Sequence, residues 1–163
     1  MEATLIEVGA GDFDVAALYA WLYASDNDGA VVTFTGKVRS HNLCAEVSKL
    51  TLEHYPDMTE KALADIAAQA RERWPLTRIA LLHRVGELGA GERIVFVGVS
   101  GAHRAAAFSA AEYMMDILKT LAPFWKREST PAGSRWLDAR VSDQRAAERW
   151  QGCSPAGETD STG

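Results

Sequence analysis

The chain has 163 residues, of which 47% are hydrophobic and 24% are charged, and its formal net charge is −5. That size and composition are typical of one globular domain whose core needs no metal or disulfide. The acidic balance argues against nucleic acid as the main partner, and no apolar run suits a membrane span or a signal peptide. Cys44 and Cys153 lie far apart and form neither a zinc motif nor a disulfide framework. We therefore expect a cytoplasmic protein.

Hydrophobic periodicity predicts an alternating series of strands and helices. In chain order, strands are predicted at residues 4–8, 30–38, 47–55, 79–85, 93–100 and 136–140, and helices at residues 13–23, 56–74 and 102–121. Residues 40–45 are predicted to form a loop, and Asp57 and Ser100 to cap the second and third helices. Hairpin-like neighbours predict an α+β fold with a mostly antiparallel sheet, in a single domain over residues 1–150. Residues 151–163, rich in Gly, Ser, Pro and Thr, are predicted to be a disordered tail.

Two lysines bracket the end of the third predicted helix. Lys119 lies in its last turn, Pro123 stops it and Lys126 follows, with Phe124 and Trp125 between. Cations set among large apolar side chains suggest a walled pocket in which an ammonium group binds an anion or transfers a proton. The structural alternative is that Lys119 offsets the helix dipole while the aromatic residues cover a core. On this segment alone the structural alternative is favoured.

Two further cationic segments stand where strands end. Lys37 and Arg39 share a face if the strand continues, and an arginine there suits a phosphate or carboxylate, although a solvated strand end is the simpler explanation. His103 and Arg104 stand at the start of the third helix, where cations are electrostatically disfavoured. Two cationic residues at this electrostatically disfavoured position suggest that an anion binds there. A surface arginine paired with a carboxylate is an equal alternative.

The spacing of these cations adds a geometric constraint. Arg104 and Lys119 belong to one predicted helix, and at 1.5 Å per residue they are about 22 Å apart along its axis. A small ligand does not readily touch both in one chain. Either there are two sites, or a second copy brings its helix start to this helix end in a symmetric dimer.

Other candidates have simpler structural explanations. Met114 and Met115 belong to an apolar helical stripe that also contains Phe108, which is typical of a core. His54 and His83 have no metal-ligand spacing, and we interpret them as satisfied core or edge histidines.

A series of short motifs runs along the chain. In order they are VTFTGKVR at residues 32–39, LEHYP at 52–56, HRVGE at 83–87, IVFVGV at 94–99, AHR at 102–104, LK at 118–119 and PFWKRE at 123–128. This series resembles the large, catalytic subunit of molybdopterin synthase, the MoaE family. The resemblance covers residues 1–150 and rests on the whole series rather than on any one motif.

The resemblance implies a sulfurtransferase of molybdenum cofactor biosynthesis, which converts cyclic pyranopterin monophosphate into molybdopterin by installing the dithiolene sulfurs. Sulfur arrives as a thiocarboxylate on the C-terminal Gly-Gly of a small ubiquitin-like subunit, whose tail enters a pocket of the large subunit. Two large subunits form a homodimer at the centre of a heterotetramer. The implied fold is an α/β hammerhead joined to further β structure, and the step is expected to need no metal or other cofactor.

The resemblance also implies roles for individual residues. Lys119 and Lys126 match the catalytic lysines, and Phe34 and Met115 would form pocket walls. The matching substrate-binding residues are Lys37, Val38, Arg39, His103, Arg104, Arg127, Glu128 and Arg140. Among these, Arg140 would be supplied across the dimer.

Two other functions compete with this one. A scaffold that docks a ubiquitin-like tail without catalysis would keep its partner after loss of both lysines and would not bind a pterin. An unrelated phosphate-ester enzyme built on His103 and Arg104 would need no thiocarboxylate. The complete series of motifs favours the synthase over both.

Overall fold

The described part of the chain forms three helices and ten strands. In the computed structural model of the protein, that part comprises residues 2–42, 45–46, 49–54, 56–121, 124–130, 133–137, 148 and 150. Of these, residues 41–42, 45–46, 54, 56, 121, 124–130 and 133–137 are described by their backbone alone. The helices are α1 (Val15–Tyr23), α2 (Pro56–Arg73) and α3 (Arg104–Leu121). The strands are β1 (Ala3–Gly9), β2 (Ala30–Lys37), β3 (His41–Asn42), β4 (Ala45–Glu46), β5 (Lys49–His54), β6 (Arg78–Arg84), β7 (Gly86–Gly89), β8 (Arg93–Gly101), β9 (Phe124–Thr130) and β10 (Gly133–Leu137).

Four strands form a central sheet in the order β1-β6-β8-β2. The β1–β6 pair is parallel, and the β6–β8 and β8–β2 pairs are antiparallel. Helices α2 and α3 pack on one face of this sheet, and α1 packs on the other. The predicted α+β fold with a mostly antiparallel sheet is therefore confirmed.

Burial on both faces explains why the two middle strands are almost continuously apolar. Val95 and Val97 of β8 pack with Met114 beneath α2 and α3, whereas Phe96 packs with Leu22 beneath α1. Successive residues of a strand point to opposite faces, so a strand covered by helices on both sides needs apolar residues at every position.

A second sheet has the order β10-β9-β5-β7 and is antiparallel throughout. Its small core contains Val38, Leu50, Leu52 and Leu88, with Ile94 packed against it. Burial of Leu50 and Leu52 confirms the alternation predicted for this strand. The β3–β4 pair forms a separate two-stranded sheet.

Several short strands were not predicted. Residues 40–45 were expected to be a loop, yet β3 and β4 pair in an antiparallel hairpin there. The glycine-rich connection after β6 contains β7, and the segment after α3 contains β9. Both become strands because they pair with β5, and such non-local partners leave no local sequence signal.

Two predicted helix caps are wrong. Ser100 lies inside β8, is fully buried, and accepts a hydrogen bond from the Arg78 N–H at 3.2 Å. The residue before α3 is His103, whose carbonyl accepts from the Ala107 N–H at 3.2 Å. Asp57 lies within the first turn of α2, because Pro56 begins that helix.

The predicted apolar stripe on α3 also needs one correction. Met114 is fully buried, but Phe108 is 63% exposed and lies outside the core. The last predicted strand begins earlier than expected, because β10 starts at Gly133, and residues 138–140 lie outside the described residues. Cys44, Cys153 and the predicted tail at 151–163 lie outside them as well. None of the described helices is long and apolar enough to cross a membrane.

An aromatic cluster joins α2, α3 and Trp150. The rings of Trp74, Tyr113 and Trp150 meet edge to face, with centroids 5.4 to 5.9 Å apart. The Trp150 Nε1–H donates to Asp116 at 2.7 Å, and the Arg73 guanidinium lies 4.6 Å from the Tyr113 ring centroid. These contacts fasten the C-terminal end of the predicted domain to the helical layer.

We expect Trp150→Ala to lower the free energy of unfolding by about 2 to 4 kcal/mol, because it empties the centre of this cluster. Trp150→Phe keeps an aromatic ring but loses the donor to Asp116, and should cost about 1 kcal/mol. Urea denaturation of the two variants beside the wild type measures both values. Equal stability of wild type and Trp150→Ala would show that the cluster does not hold the domain together.

Candidate functional site

Strand β2 and helix α3 begin side by side. The Gly29 N–H donates to the Gly101 carbonyl at 3.0 Å, and a Cβ at Gly29 would lie 2.4 Å from the Ala102 carbonyl oxygen. Only glycine permits so close an approach of the two backbones. The start of α3 is therefore fixed against the start of β2.

The two elements also run in the same direction over equal lengths. Helix α3 follows β8 after two residues and packs back along β8 and β2, and β2 is antiparallel to β8. Ala30 to Lys37 spans about 23 Å at 3.3 Å per residue, and Arg104 to Lys119 spans about 22 Å at 1.5 Å per residue. Lys37 and Lys119 therefore lie at the same end of the molecule, here called the cationic end.

Residues 37–39 turn away from the central sheet at this end. The β2–β8 register shifts between Gly36 and Lys37, after which Lys37 and Arg39 are exposed. Val38 is only 4% exposed and packs in the core of the second sheet. Its side chain is thus a structural anchor, and any contact that it makes with a ligand is through its backbone.

The two predicted wall residues lie between β2 and α3, just before the cationic end. Phe34 precedes Lys37 by three residues and is 44% exposed, on the same face of β2 as Val32. Met115 precedes Lys119 by one helical turn, is half-buried, and packs against the same core as Val32 does. Apolar surface therefore borders the exposed cations, as a pocket wall requires.

Three further predicted residues lie on β9. Lys126 pairs with Leu52 of β5, and Arg127 and Glu128 occupy the next two register positions. Only two residues separate α3 from β9, so this strand starts from the end of α3 that carries Lys119. Arg140 lies outside the described residues.

His103 and Arg104 lie at the opposite end of α3. Both are exposed, and the helix axis separates Arg104 from Lys119 by about 22 Å. One chain thus places Lys37, Arg39 and Lys119 at the cationic end and leaves His103 and Arg104 at the opposite end of α3. The prediction that Arg104 and Lys119 lie on one helix is confirmed.

A cavity of about 350 Å³ lies elsewhere, between β1, β6 and the first turn of α2. It is lined by Glu7, Asp12, Glu60, His83 and Arg84 among others, and by none of the predicted site residues. His83 is buried, and its Nδ1 lies 2.7 Å from the Arg84 carbonyl oxygen, which confirms the interpretation as a satisfied core histidine. In the part of the chain described here, no group of three or more His, Cys, Asp or Glu side chains is arranged to hold a metal ion.

Two features that shape the site had only weak sequence signals. Gly29 ends an Asp-Asn-Asp-Gly turn cluster, which predicts a turn but not the close approach to Ala102. The turn at residues 89–92 bonds to both backbone polar groups of Val38. Its Gly-Ala-Gly-Glu sequence predicts a turn without showing what it contacts.

Comparisons with known proteins agree on one family. The family model described as MoaE protein matches residues 8–121. The molybdopterin synthase catalytic subunit of Salmonella typhimurium is 63% identical over 150 residues, which cover 92% of this chain and 100% of that protein. The protein of the same description from Escherichia coli K12 is 62% identical over the same shares. Among solved structures, the molybdopterin biosynthesis MoaE protein from Burkholderia ambifaria superposes with a TM-score of 0.77 at 47% identity, covering 91% of this chain and 98% of that one.

Gly29→Ala should destabilise the protein by about 1 to 3 kcal/mol, because the new methyl group would have to displace the Ala102 carbonyl oxygen. Gly11→Ala is the matched control, since a Cβ there meets nothing within 4 Å. Thermal unfolding of both variants measures the difference. If the two lose the same stability, the close approach at Gly29 does not constrain the start of α3.

Proposed function

The chain belongs to the MoaE family, and we propose that it is the catalytic subunit of a molybdopterin synthase. In this reaction, sulfur is transferred to cyclic pyranopterin monophosphate and the dithiolene of molybdopterin is formed. The observation that carries the proposal is the similarity over whole catalytic subunits. The position of Lys37, Arg39 and Lys119 at the cationic end of the molecule supports the proposal.

The sulfur donor in this proposal is a second, small ubiquitin-like subunit. Its C-terminal Gly-Gly carries the thiocarboxylate, and its tail reaches the cationic end in an extended conformation. The name catalytic subunit, which the relatives bear, fits an enzyme of more than one kind of chain. We place the reaction in the cytoplasm.

Charge explains why the cationic end suits these reactants. A thiocarboxylate and a phosphate-bearing pterin are both anions, and bringing them together without counter-charge is repulsive. The chain as a whole carries a net charge of −5, so attraction must come from a local group of cations. Lys37, Arg39 and Lys119 form such a group, and all three are exposed.

The two lysines have separate roles in the proposed chemistry. Lys119 neutralises the thiocarboxylate and stabilises the oxyanion that forms as sulfur adds to the pterin side chain. Lys126 donates or accepts protons as oxygen leaves. Residues 37–39, with Arg127 and Glu128 of β9, hold the phosphate and pterin, and Phe34 and Met115 form the walls.

A second copy of the chain completes the site. His103 and Arg104 lie too far from Lys119 to serve the same small ligand within one chain. Among the described strands, β2 is at the edge of the central sheet. Phe34 on β2 is 44% exposed, and Phe108 on α3, the helix that packs along β2, is 63% exposed. Exposed aromatic residues beside a free strand edge are typical of an interface. A two-fold dimer through this region would bring His103 and Arg104 of one copy to the cationic end of the other, and Arg140, which lies outside the described residues, is proposed to join them there.

Replacing Lys119 with alanine should reduce product formation by at least about 1000-fold, because the counter-charge at the reacting sulfur is lost. The assay combines the protein with a thiocarboxylated small subunit and cyclic pyranopterin monophosphate, and detects the dithiolene product by oxidation to its fluorescent derivative. Lys61→Ala, which removes an exposed lysine from α2, is the matched control and should keep full activity.

Circular dichroism and gel filtration would establish that the Lys119→Ala protein keeps its fold and assembly. Turnover like that of the wild type in this variant would contradict the role of Lys119. Partner binding without any product in the wild-type protein would favour a scaffold instead.

Mixed dimers test whether the site is shared. Lys119→Ala and Arg104→Ala subunits are each expected to be strongly impaired alone. When the two variants are mixed in equal amounts, about half of the dimers contain one subunit of each kind. In such a dimer one of the two sites combines an intact Lys119 with an intact Arg104, so activity should return to about a quarter of the wild-type value. No recovery after mixing, with subunit exchange verified by mass spectrometry, would contradict a site shared between the two copies.

A further inference from the structure

The turn between β7 and β8 holds the backbone of residues 37–39. The Val38 N–H donates to the Glu92 carbonyl at 2.9 Å, and the Gly91 N–H donates to the Val38 carbonyl at 2.8 Å. Both backbone polar groups of Val38 therefore form hydrogen bonds with the same turn. Because Lys37 and Arg39 flank Val38, the position of the turn sets the position of both cations.

The turn itself is tightly built. The Glu92 N–H donates to the Gly89 carbonyl at 3.1 Å, which closes a four-residue turn. Gly91 has a φ of 85°, as the third residue of a type II turn requires. The Glu92 carboxylate also accepts a hydrogen bond from the Gly89 N–H, which is a second hydrogen bond between the first and last residues of the turn.

Arg84 anchors the Glu92 carboxylate to the central sheet. Both terminal nitrogens of Arg84 lie 3.5 Å from Glu92 Oε1. The same guanidinium donates to the Arg93 carbonyl at 3.0 Å and to the Ala10 carbonyl at 3.1 Å. The Arg84 side chain is only 10% exposed, whereas that of Glu92 is 46% exposed. A buried, multiply bonded arginine thus fixes a half-exposed carboxylate.

An ion pair between Arg93 and Asp12 lies beside this turn. Arg93, which pairs with Lys37 across the strands, donates to Asp12 at 3.0 Å. The pKa of the Asp12 carboxyl is lowered, first by the Phe13 N–H and then by Arg93. This carboxylate is ionised at neutral pH and lies 4.0 Å from Arg84.

We infer that Glu92, held by Arg84, is a positioning residue for substrate binding. It acts through the turn and Val38 on Lys37 and Arg39. This inference rests on the proposed role of residues 37–39 in binding the pterin substrate. Neither Glu92 nor Arg84 needs to touch substrate. Small misplacements of a binding group are costly, because binding and orientation depend on the geometry of the cations.

The test is a mutant cycle that combines Glu92→Ala with the loss of Lys37 and Arg39. Glu92→Ala should raise the KM for cyclic pyranopterin monophosphate about tenfold and change kcat less than about twofold, because a ground-state binding contact is loosened. Glu92→Gln keeps an oxygen for the Gly89 N–H and should raise KM less. Glu87→Ala removes an exposed carboxylate from β7 that pairs with Lys49 at 2.8 Å, and as the matched control it should leave KM unchanged.

In a background that carries both Lys37→Ala and Arg39→Ala, Glu92→Ala should add less than about a twofold change in KM, because both groups that it positions are gone. If the KM increases multiply instead, or if Glu92→Ala leaves KM unchanged while the Lys37→Ala/Arg39→Ala background raises it, the inference is overturned and the proposed function stands. If the Lys37→Ala/Arg39→Ala background itself leaves KM unchanged, the binding role of these two cations and the inference both fail.

Hydrogen exchange supplies a readout that does not depend on product formation. Glu92→Ala should accelerate exchange of the Val38 amide, whose acceptor is the Glu92 carbonyl, while amides of β6 keep their protection. Unchanged exchange at Val38 would overturn the link between Glu92 and residues 37–39, whatever reaction the protein catalyses.

Discussion

The close approach of Gly29 to Ala102 is the constraint on which the rest of the site depends. This contact holds the start of β2 beside the start of α3, and the two elements then run in the same direction over nearly equal distances. A strand of eight residues and a helix of eighteen differ greatly in residue count, but their rise per residue compensates for that difference. Lys37 and Lys119, far apart in sequence, therefore lie at the same end of the molecule.

The second sheet closes the site from the other side. Val38 leaves the central sheet to enter the second core, and β9 returns from α3 to pair with β5 beside it. Each cation is thus carried by an element whose own position is set by burial. Lys119 projects from a helix packed on the central sheet, and Lys37 and Arg39 flank a buried valine. Rigid apolar anchors next to exposed charges give a site that needs little rearrangement to bind an anion.

Local patterns predicted the elements that dominate the core and not those that join the two sheets. The long apolar runs of β6 and β8 and the amphipathic period of α3 are properties of contiguous sequence. The identity of β7 and β9 as strands depends on β5, a partner far away in the chain. Ser100 looked like a helix cap because it precedes a helix, but the sheet extends through it and its hydroxyl accepts from Arg78.

The same division holds for the candidate site. The distance between Arg104 and Lys119 follows from helical rise alone and was predictable. Burial of Val38 and its bonds to the turn at residues 89–92 were not, because they arise only when the two sheets meet. Glu92 carried no motif that would have singled it out, since its importance comes from the backbone that it holds in place.

A crystal structure of this protein with its unmodified small subunit would test the central claim most directly, because the terminal glycine carboxylate stands in for the thiocarboxylate. We predict that this carboxylate lies about 3 Å from the Lys119 ammonium and near Arg39, with His103 and Arg104 of a second copy facing the same space. A tail bound in the cavity between β1, β6 and α2, or at the start of α3 in the same chain, would contradict this account.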